Sequence, residues 1–334
     1  ETRASMQIFS RFFSPAPYGR IAITQQPQFS FGQSWPTLVY LPVSAFLDST
    51  QRWMLLGEDT FRFSEFIQEI TPHEVAHQWW GHMVGWSSYH DQWLSEGFAD
   101  FSASLFIQSV NKNPKPYLEF LKHWREAILD KNRFGFRAND VGPIWMGRRL
   151  RTARTPSAYS KVVYAKGGFV VHMLRRLMYD TKTGDERFIK MMHDFVRSHL
   201  HKNATTQSFQ QTVERHMTAA MNLDGNDKMD WFFDQWVYGT EVPSYQLDYT
   251  LQSQSDGSVV MNGTVTQKGV ADDFKMQVPI YVTFGKHIGL LGRAKLTGST
   301  TSQPFQVTFP RKPDAIEINT YYDVLADEIV VNGG

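Results

Sequence analysis

The sequence contains no cysteine, so no disulfide stabilises the fold and no thiolate can act as a nucleophile or a metal ligand. It has no run of about 18 apolar residues, which excludes a transmembrane helix within it. Neither sign of charge dominates, because 34 basic side chains balance 33 acidic ones and leave a net charge of +1. This balance gives no reason to expect a nucleic acid or an anionic membrane as a partner. The hydrophobic content of 42% is typical of a folded protein with a sizeable core.

The chain also lacks an initiator methionine and a signal peptide, since it begins at Glu1. This start predicts a fragment of a longer protein. The absence of free thiols suits an oxidising compartment and favours an extracytoplasmic location, either periplasmic or secreted. A length of 334 residues is sufficient for two domains.

The strongest chemical signal is the segment TPHEVAHQWWG, which contains two histidines at metal-ligand spacing. His73 and His77 are four residues apart, so on a helix both rings lie on one face. Two such imidazoles can bind a zinc ion, with Glu74 beside them as the general base that takes a proton from an activated water. The segment also has a structural interpretation, because Thr71, Pro72 and Glu74 match the pattern of a helix-capping box. Capping alone does not explain the two histidines, so the zinc interpretation is favoured.

A third ligand is expected from the segment DQWLSEGFAD, which contains Glu96. Eighteen residues separate His77 from Glu96, enough to end one helix and begin a second beside it. Three protein ligands leave one coordination position open, which is typical of a catalytic zinc site rather than a structural one. The sequence therefore predicts one catalytic Zn²⁺.

Hydrophobic periodicity divides the chain into a predicted catalytic domain, 1–242, and a predicted β-sandwich domain, 243–334. The first domain is expected to be α+β, with strands in 1–62 and a large helical part in 63–242. The predicted helices are 1–14, 64–84, 92–110, 116–131, 158–180, 185–202, 205–217 and 228–238. Two strands are predicted, Arg20–Thr24 and Thr37–Leu41, with a loop over 28–36 between them.

The second domain contains about seven short alternating runs separated by turn residues. The runs are Tyr245–Leu251, Val259–Thr266, Phe274–Phe284, Ile288–Thr297, Phe305–Phe309, Ala315–Asn319 and Val324–Val331. This spacing predicts an antiparallel, immunoglobulin-like β-sandwich. It contains no catalytic constellation, so its expected role is a scaffold or an interaction surface.

Four segments together resemble the gluzincin zinc aminopeptidases, the family of membrane alanyl aminopeptidase and leukotriene hydrolase. They are HEVAHQWWG, WLSEGFA, VYAKGG (163–168) and QWVYGTEVP (235–243). The resemblance covers nearly the whole chain. It implies a thermolysin-like catalytic domain followed by a β-sandwich, with the N-terminal β-rich domain of the family missing.

The resemblance also implies roles for individual residues. The zinc ligands would be His73, His77 and Glu96, the base would be Glu74, and Tyr164 would stabilise the oxyanion of the tetrahedral intermediate.

Three further residues have weaker assignments. Tyr159 falls where some members carry another tyrosine of the site. Asp100 lies four residues after Glu96 and resembles the aspartate that orients a ligand histidine in the thermolysin branch; the alternative is a solvated or capping aspartate. His82, where the family often has asparagine, is interpreted as a packing residue or a neighbour of the ligands rather than as a ligand.

One segment departs from the family pattern. The aminopeptidases carry a Gly-x-Met-Glu-Asn motif on an edge strand, and its glutamate binds the amino terminus of the substrate. The matching segment here is SFGQS, which places Gln33 at the position of that glutamate and Ser34 at the position of the asparagine. A neutral amide accepts a hydrogen bond from an ammonium group but supplies no counter-charge.

The predicted function is zinc-dependent hydrolysis of peptide bonds, similar to that of an aminopeptidase. One alternative is a related peptidase with endo-type or otherwise altered specificity, which the Gln33 substitution favours. A second alternative is an inactive binding module that retains a zinc site. The expected partner is a peptide, and the missing N-terminal domain is expected to contribute to the substrate cleft.

Overall fold

A computed structural model describes residues 1–28, 31–57 and 59–334, with the backbone alone for 56 and 59–65. The chain forms two compact units. The first contains Glu1–Tyr179 and Thr183–Met217, and the second contains Asp180–Lys182 and Thr218–Gly334. The mixture of helices and sheets confirms the predicted α+β class. The predicted domain boundary at 242/243 stays a prediction.

The first unit contains eight α-helices within the described residues. They are α1 (Thr2–Phe12), α2 (Ser49–Leu56), α3 (Asp59–Ala76), α4 (Trp93–Val110), α5 (Lys115–Leu129), α6 (Gly167–Met178), α7 (Glu186–Ser198) and α8 (Thr206–His216). A π-helix, Ser160–Lys166, leads directly into α6. Short 3₁₀ helices at Asn139–Val141 and Ile144–Leu150 occupy much of the predicted loop between α5 and the π-helix.

Helix α4 is the central element of this unit. Its side chains are apolar or small around nearly the whole circumference, and it is buried from Trp93 to Ile107 apart from a partly exposed Glu96. A helix that is hydrophobic on all sides requires neighbours on all sides. It packs against α1, α3, α5 and α6, and these contacts hold Glu96 in the interior of the unit.

A three-stranded sheet precedes these helices, in the order β1 (Ala22–Gln26), β3 (Leu38–Pro42), β2 (Gln33–Trp35). Strand β1 runs parallel to β3, and β2 runs antiparallel to β3 with Gln33 opposite Tyr40. The prediction of a loop over 28–36 is therefore wrong for β2. A strand of three residues is too short to show the alternation of polar and apolar side chains that identifies strands. Phe29 and Ser30 of the predicted loop lie outside the described residues.

Helix α3 begins at Asp59 and ends at Ala76, whereas the sequence predicts 64–84. Pro72 lies inside this helix, so the capping-box interpretation of Thr71 to Glu74 is wrong.

The helix ends because the chain turns back after Ala76: Gly81 has φ +105° and donates its N–H to the carbonyl of Val84 at 2.7 Å. Strand β4 (Val84–Trp86) follows and pairs in parallel with β5 (Lys202–Ala204). The predicted helix over 185–202 is correspondingly shorter, because residues 199–201 form a turn, with His201 at φ +54°, and β5 begins at residue 202.

The second unit contains the short helix α9 (Asp230–Trp236) and seven strands in two sheets. The strands are β6 (Ser244–Ser253), β7 (Val259–Lys268), β8 (Lys275–Phe284), β9 (His287–Thr297), β10 (Phe305–Phe309), β11 (Ala315–Ile318) and β12 (Ile329–Gly333). One sheet has the order β10-β7-β6-β12, and the other has the order β11-β8-β9. Every pair is antiparallel except β6–β12, which is parallel because the chain crosses from the other sheet before β12. The prediction of a wholly antiparallel sandwich is wrong for this pair.

Within the described part of the chain, no helix combines the length and apolarity that crossing a membrane requires.

Candidate active site

The two histidines of the HEVAH segment lie at the C-terminal end of α3. His73 is in the last turn of the helix, and His77 follows its end but keeps a helical hydrogen bond from its N–H to the carbonyl of His73, at 3.3 Å. The Nε2 atoms of the two rings are 3.1 Å apart. The helical spacing therefore brings both imidazoles to one point, as the sequence predicts.

Glu96 approaches the same point from the first turn of α4. Its Oε2 lies 3.6 Å from Nε2 of His73 and 3.3 Å from Nε2 of His77. The next residue, Gly97, contacts the backbone of Gly167: a Cβ on Gly97 would lie 2.8 Å from the carbonyl carbon of Gly167. This close approach of α4 to the start of α6 needs a glycine, and it fixes Glu96 relative to the π-helix before α6.

The other ring nitrogens have hydrogen-bond acceptors that orient the two imidazoles. Nδ1 of His73 donates to Oδ1 of Asp100 at 2.7 Å, and Nδ1 of His77 donates to the carbonyl of Trp80 at 2.9 Å. Because the carbonyl is an obligate acceptor, the proton of a neutral His77 is on Nδ1 and its Nε2 presents a lone pair. The hydroxyl of Ser95 supports the same arrangement, since it donates to the carbonyl of Trp80 at 3.1 Å.

With both rings neutral, two imidazole lone pairs and a carboxylate oxygen converge at one point. These three acceptors repel one another unless a proton or a metal cation lies between them, and one metal ion satisfies all three at once. Two nitrogens and one oxygen are the ligands of catalytic zinc sites with an open position. The fit of these side chains agrees with the predicted catalytic Zn²⁺.

A second group of possible ligands shares one of these histidines. Carboxylate oxygens of Glu69 and Asp100 and a ring nitrogen of His73 all lie within 4.8 Å of one another. Glu69 precedes His73 by one helical turn and was not singled out from the sequence. The spacing of four residues was available as a signal, but acidic residues at that spacing are common on helix surfaces.

Glu74 is buried at 5% exposure and lies against the loop before β2. A Cβ on Gly32 would be 2.5 Å from both Cγ and Oε1 of Glu74, so only a glycine leaves room for this carboxylate. Burial raises the pKa of Glu74 above its ordinary value, and the charge of Glu96 adds to that effect. A raised pKa suits a carboxylate that accepts a proton and later returns it.

Tyr164 lies on the π-helix, with its ring parallel to that of His73 at a centroid separation of 6.0 Å. Burial raises the pKa of the Tyr164 phenol well above its ordinary value, and the charge of Glu96 raises it further. The phenol therefore stays protonated and can donate a hydrogen bond. Tyr159 contacts Tyr164 edge to face, with ring centroids 5.8 Å apart.

These residues border a cavity of about 760 Å³, a size typical of small-molecule and peptide-binding clefts. It is lined by the predicted ligands, Glu74, Tyr164 and Asp100, by Phe31 to Ser34, and by Phe66, Glu69, Ile70, Gly81, His82, Trp86, Ser95, Trp124, Ala127, Ser160, Lys161 and Ala165. Gln33 thus lies on the cavity wall, as the match to the edge-strand motif predicts. Tyr159 is not among the lining residues.

The edge strand is fixed to the histidine segment by a buried amide. Nε2 of Gln78 donates to Oγ of Ser34 at 2.8 Å and to the carbonyl of Trp35 at 3.0 Å, and its Oε1 accepts from the N–H of Thr37 at 2.9 Å. Gln78 directly follows His77, so this contact holds β2 beside the site. Sequence reasoning missed it, because a glutamine after HExxH gives no local sign of a partner more than 40 positions earlier.

His82 also lines the cavity but belongs to neither group of possible ligands among the described residues. Burial lowers the pKa of His82 to about 4, so its ring is neutral near pH 7. This position agrees with the interpretation of His82 as a packing residue or a neighbour of the ligands.

Replacing Asp100 by alanine is expected to weaken zinc binding about 10- to 100-fold, because Nδ1 of His73 loses the carboxylate that orients its ring. Competition with a chelator of known zinc affinity measures this change. Asp140→Ala, which alters an exposed aspartate of the same unit, is the control. An Asp100→Ala affinity within a few-fold of the unaltered protein would contradict the orienting role.

Two imidazoles and a carboxylate on adjacent helices, with a second glutamate beside them, are the side chains of a gluzincin-type metallopeptidase site. Residues 10–236 match the model of the peptidase family M1 domain. The chain belongs to this family, which confirms the predicted resemblance and, together with the fit of the site, the zinc cofactor.

Individual relatives agree with this membership. Aminopeptidase N of Lactococcus lactis is 26% identical over 225 residues, which are 66% of this chain and 23% of the relative. Glutamyl aminopeptidase of Sus scrofa is 25% identical over 238 residues, 69% of this chain and 22% of the relative. The chain thus spans less than a quarter of the length of these relatives. The crystal structure of Legionella pneumophila aminopeptidase A in complex with aspartic acid shares the fold, with a TM-score of 0.61 and 14% identity over 98% of this chain and 34% of that one.

Proposed function

We propose that this chain is the catalytic part of a zinc-dependent peptidase of the aminopeptidase type. The observation that carries the proposal is the convergence of His73, His77 and Glu96 beside Glu74 and Tyr164 in one cavity. Relatives with the names aminopeptidase N and glutamyl aminopeptidase support the reaction class.

In this proposal His73, His77 and Glu96 hold the metal. When bound, zinc supplies a Lewis acid that activates a water molecule and polarises the scissile carbonyl. Glu74 accepts a proton during the attack on the carbonyl and later delivers it to the leaving amine. Its burial and its contact with Gly32 support this role, because both hold the carboxylate in place and away from bulk water.

Tyr164 would stabilise the negative charge that develops on the carbonyl oxygen. A protonated phenol in a buried position offers one directed hydrogen bond to that oxygen. The parallel packing of its ring against that of His73 supports this role. The role of Tyr159 in this proposal is to pack against Tyr164 and restrict its ring.

Replacing Tyr164 by phenylalanine is expected to lower kcat about 10²- to 10³-fold with little change in KM, because the lost hydrogen bond forms only as charge develops. Steady-state kinetics on a peptide reporter measures both constants. Tyr89→Phe, which removes the hydroxyl of an exposed tyrosine, is the matched control. An equal loss for both variants, or a loss confined to KM, would rule out the oxyanion role.

A second candidate function is peptide hydrolysis without a requirement for a free amino terminus. The observation that favours it is Gln33 on the cavity wall, at the position where the family pattern has a glutamate. Nε2 of Gln33 donates to the carbonyl of Ser34 at 3.4 Å, and the other amide atom, Oε1, is an uncharged acceptor. A carboxylate at this position would form an ion pair with an ammonium group, whereas the uncharged amide offers only a hydrogen bond, so Gln33 selects less strongly for the chain end.

Matched peptides separate the two specificities. Each sequence is assayed with a free and with an acetylated amino terminus, and the products are identified by mass spectrometry. The aminopeptidase proposal predicts single-residue release from the free peptides and at least a tenfold lower kcat/KM for the acetylated ones. Equal rates, with internal cleavage, would select the second candidate.

The third alternative, an inactive zinc-binding module, has less support. A binding module needs neither a buried carboxylate beside the ligands nor a protonated phenol next to them. Glu74 and Tyr164 both line the cavity. Turnover of no peptide, free or acetylated, by the zinc-loaded protein would favour this alternative.

A further inference from the structure

One face of the π-helix Ser160–Lys166 looks into the cavity. Its lining residues are Ser160, Lys161, Tyr164 and Ala165, which are spaced as residues on one side of a helix. Lys161 therefore lies on the same face as Tyr164, three residues nearer the start of the helix. Nothing in the proposed reaction uses it.

Lys161 is the one lysine or arginine among the described residues that line the cavity. Apart from the phenol of Tyr164, the other ionisable lining residues are carboxylates and histidines, namely Glu69, Glu74, Glu96, Asp100, His73, His77 and His82. The cavity is thus acidic around the ligands and has a positive charge at one position on its wall. Bound zinc would offset part of the negative charge around the ligands, whereas Lys161 attracts a carboxylate at a separate position on the wall.

The ammonium group of Lys161 has no hydrogen bond or ion pair within the described part of the chain, although the residue is half-buried. By contrast, the exposed Lys122 of α5 is paired with Glu126. A half-buried cation on a cavity wall without a partner is available to an anionic group of a ligand.

We propose that Lys161 binds a carboxylate of the peptide substrate and so selects substrates that carry one close to the scissile bond. This inference rests on the proposed peptidase function and adds a substrate class to it. Three residues separate Lys161 from Tyr164, a distance of at most roughly 4.5 Å along the helix axis. An extended peptide advances about 3.3 Å per residue, so the carboxylate lies one or two residues from the carbonyl that Tyr164 would contact.

Two sources supply this chemistry: the terminal carboxylate of a short peptide and the side chain of an aspartate or glutamate. Four peptides distinguish them. Ala-Phe-Ala is compared with its C-terminal amide, and an amidated tripeptide with glutamate at one position is compared with the same peptide carrying glutamine. Discrimination is expressed as the ratio of kcat/KM for the charged peptide to that for its neutral counterpart.

Lys161→Met keeps the length of the side chain and removes the charge. This variant is expected to lower the kcat/KM ratio about tenfold for one of the two peptide pairs, because one partly exposed charge-assisted hydrogen bond is lost. The change is expected to appear as a higher KM for the charged peptide. Lys161→Arg is expected to retain most of the ratio. Lys122→Met, the matched control on an exposed lysine of α5, is expected to leave the ratio as it is in the unaltered protein.

Binding is tested without turnover by calorimetry in the Glu74→Gln protein. The dissociation constants of each charged peptide and its neutral counterpart give a binding ratio for each pair. If the unaltered protein cleaves none of the peptides, the proposed function fails, and the binding ratios still decide the role of Lys161. Ratios that Lys161→Met leaves unchanged for both pairs would overturn the inference, even in an active peptidase. Equal losses for charged and neutral peptides would overturn it as well.

Discussion

Replacing Glu74 by glutamine is expected to lower kcat about 10²- to 10⁴-fold while the protein still binds zinc. Glutamine has nearly the same shape as glutamate but cannot accept a proton, so the step that needs a base is lost. The buried position of Glu74 against Gly32 favours retention of the geometry in the variant. Turnover of a peptide reporter and metal content per chain, measured on the same preparation, test both parts of this prediction.

The matched control is Glu119→Gln, the same chemical change on a half-exposed glutamate of α5. It is expected to have the activity, zinc content and thermal stability of the unaltered protein. A Glu74→Gln protein that keeps more than a tenth of the activity would eliminate Glu74 as the base. Loss of zinc together with activity would instead show that Glu74 supports the metal site.

Replacing Glu96 by alanine is expected to remove both bound zinc and activity. The carboxylate is the one anionic member of the converging set, and the two imidazoles alone form an incomplete catalytic site. Because the metal supplies several kcal/mol of transition-state stabilisation, a loss of about 10³-fold or more in kcat/KM follows. Metal analysis after dialysis and kinetics at fixed zinc concentration measure the two effects.

Two controls separate metal loss from unfolding. Glu126→Ala truncates a glutamate that pairs with Lys122 on α5 and is expected to keep zinc and activity. Removal of zinc from the unaltered protein with a chelator is expected to abolish activity, and added zinc is expected to restore it. A folded Glu96→Ala protein with a full equivalent of zinc would contradict the assignment of Glu96 as a ligand.

The sequence was most informative where contacts are local or where the pattern is long. His73 and His77 meet because helical spacing brings residues four apart together, and their Nε2 atoms do converge. Helix α5 shows strong periodicity over several turns, helix α4 is a long apolar segment, and both lie close to their predicted bounds. The family motifs add Tyr164, whose position depends on the long-range packing of the π-helix.

Prediction from the sequence fails where three-dimensional contacts decide the structure. Strand β2 is short, and it forms because it pairs with β3 and is hydrogen-bonded by the side-chain amide of Gln78. No local sequence pattern indicates either contact. The end of α3 at Ala76 depends on the turn before β4, whose partner β5 lies more than a hundred residues later. Gly32 and Lys161 border the cavity only because separate segments fold around it.

Glycine at position 32 illustrates the difference between a motif and a site. In the sequence it is one residue of SFGQS, where attention falls on the missing glutamate at position 33. In the structure it is the residue whose lack of a Cβ leaves space for the carboxylate of Glu74. The change at position 33 therefore leaves the contact between Gly32 and Glu74 intact.

The central claim is that a single zinc ion is held by His73, His77 and Glu96. The most direct test is an anomalous difference map from a crystal of the unaltered protein, recorded on both sides of the zinc absorption edge. We expect one strong peak within about 2.0–2.2 Å of Nε2 of each histidine and of a carboxylate oxygen of Glu96. A zinc-loaded crystal with no peak between these three side chains, or with its peak at another group, would contradict the account.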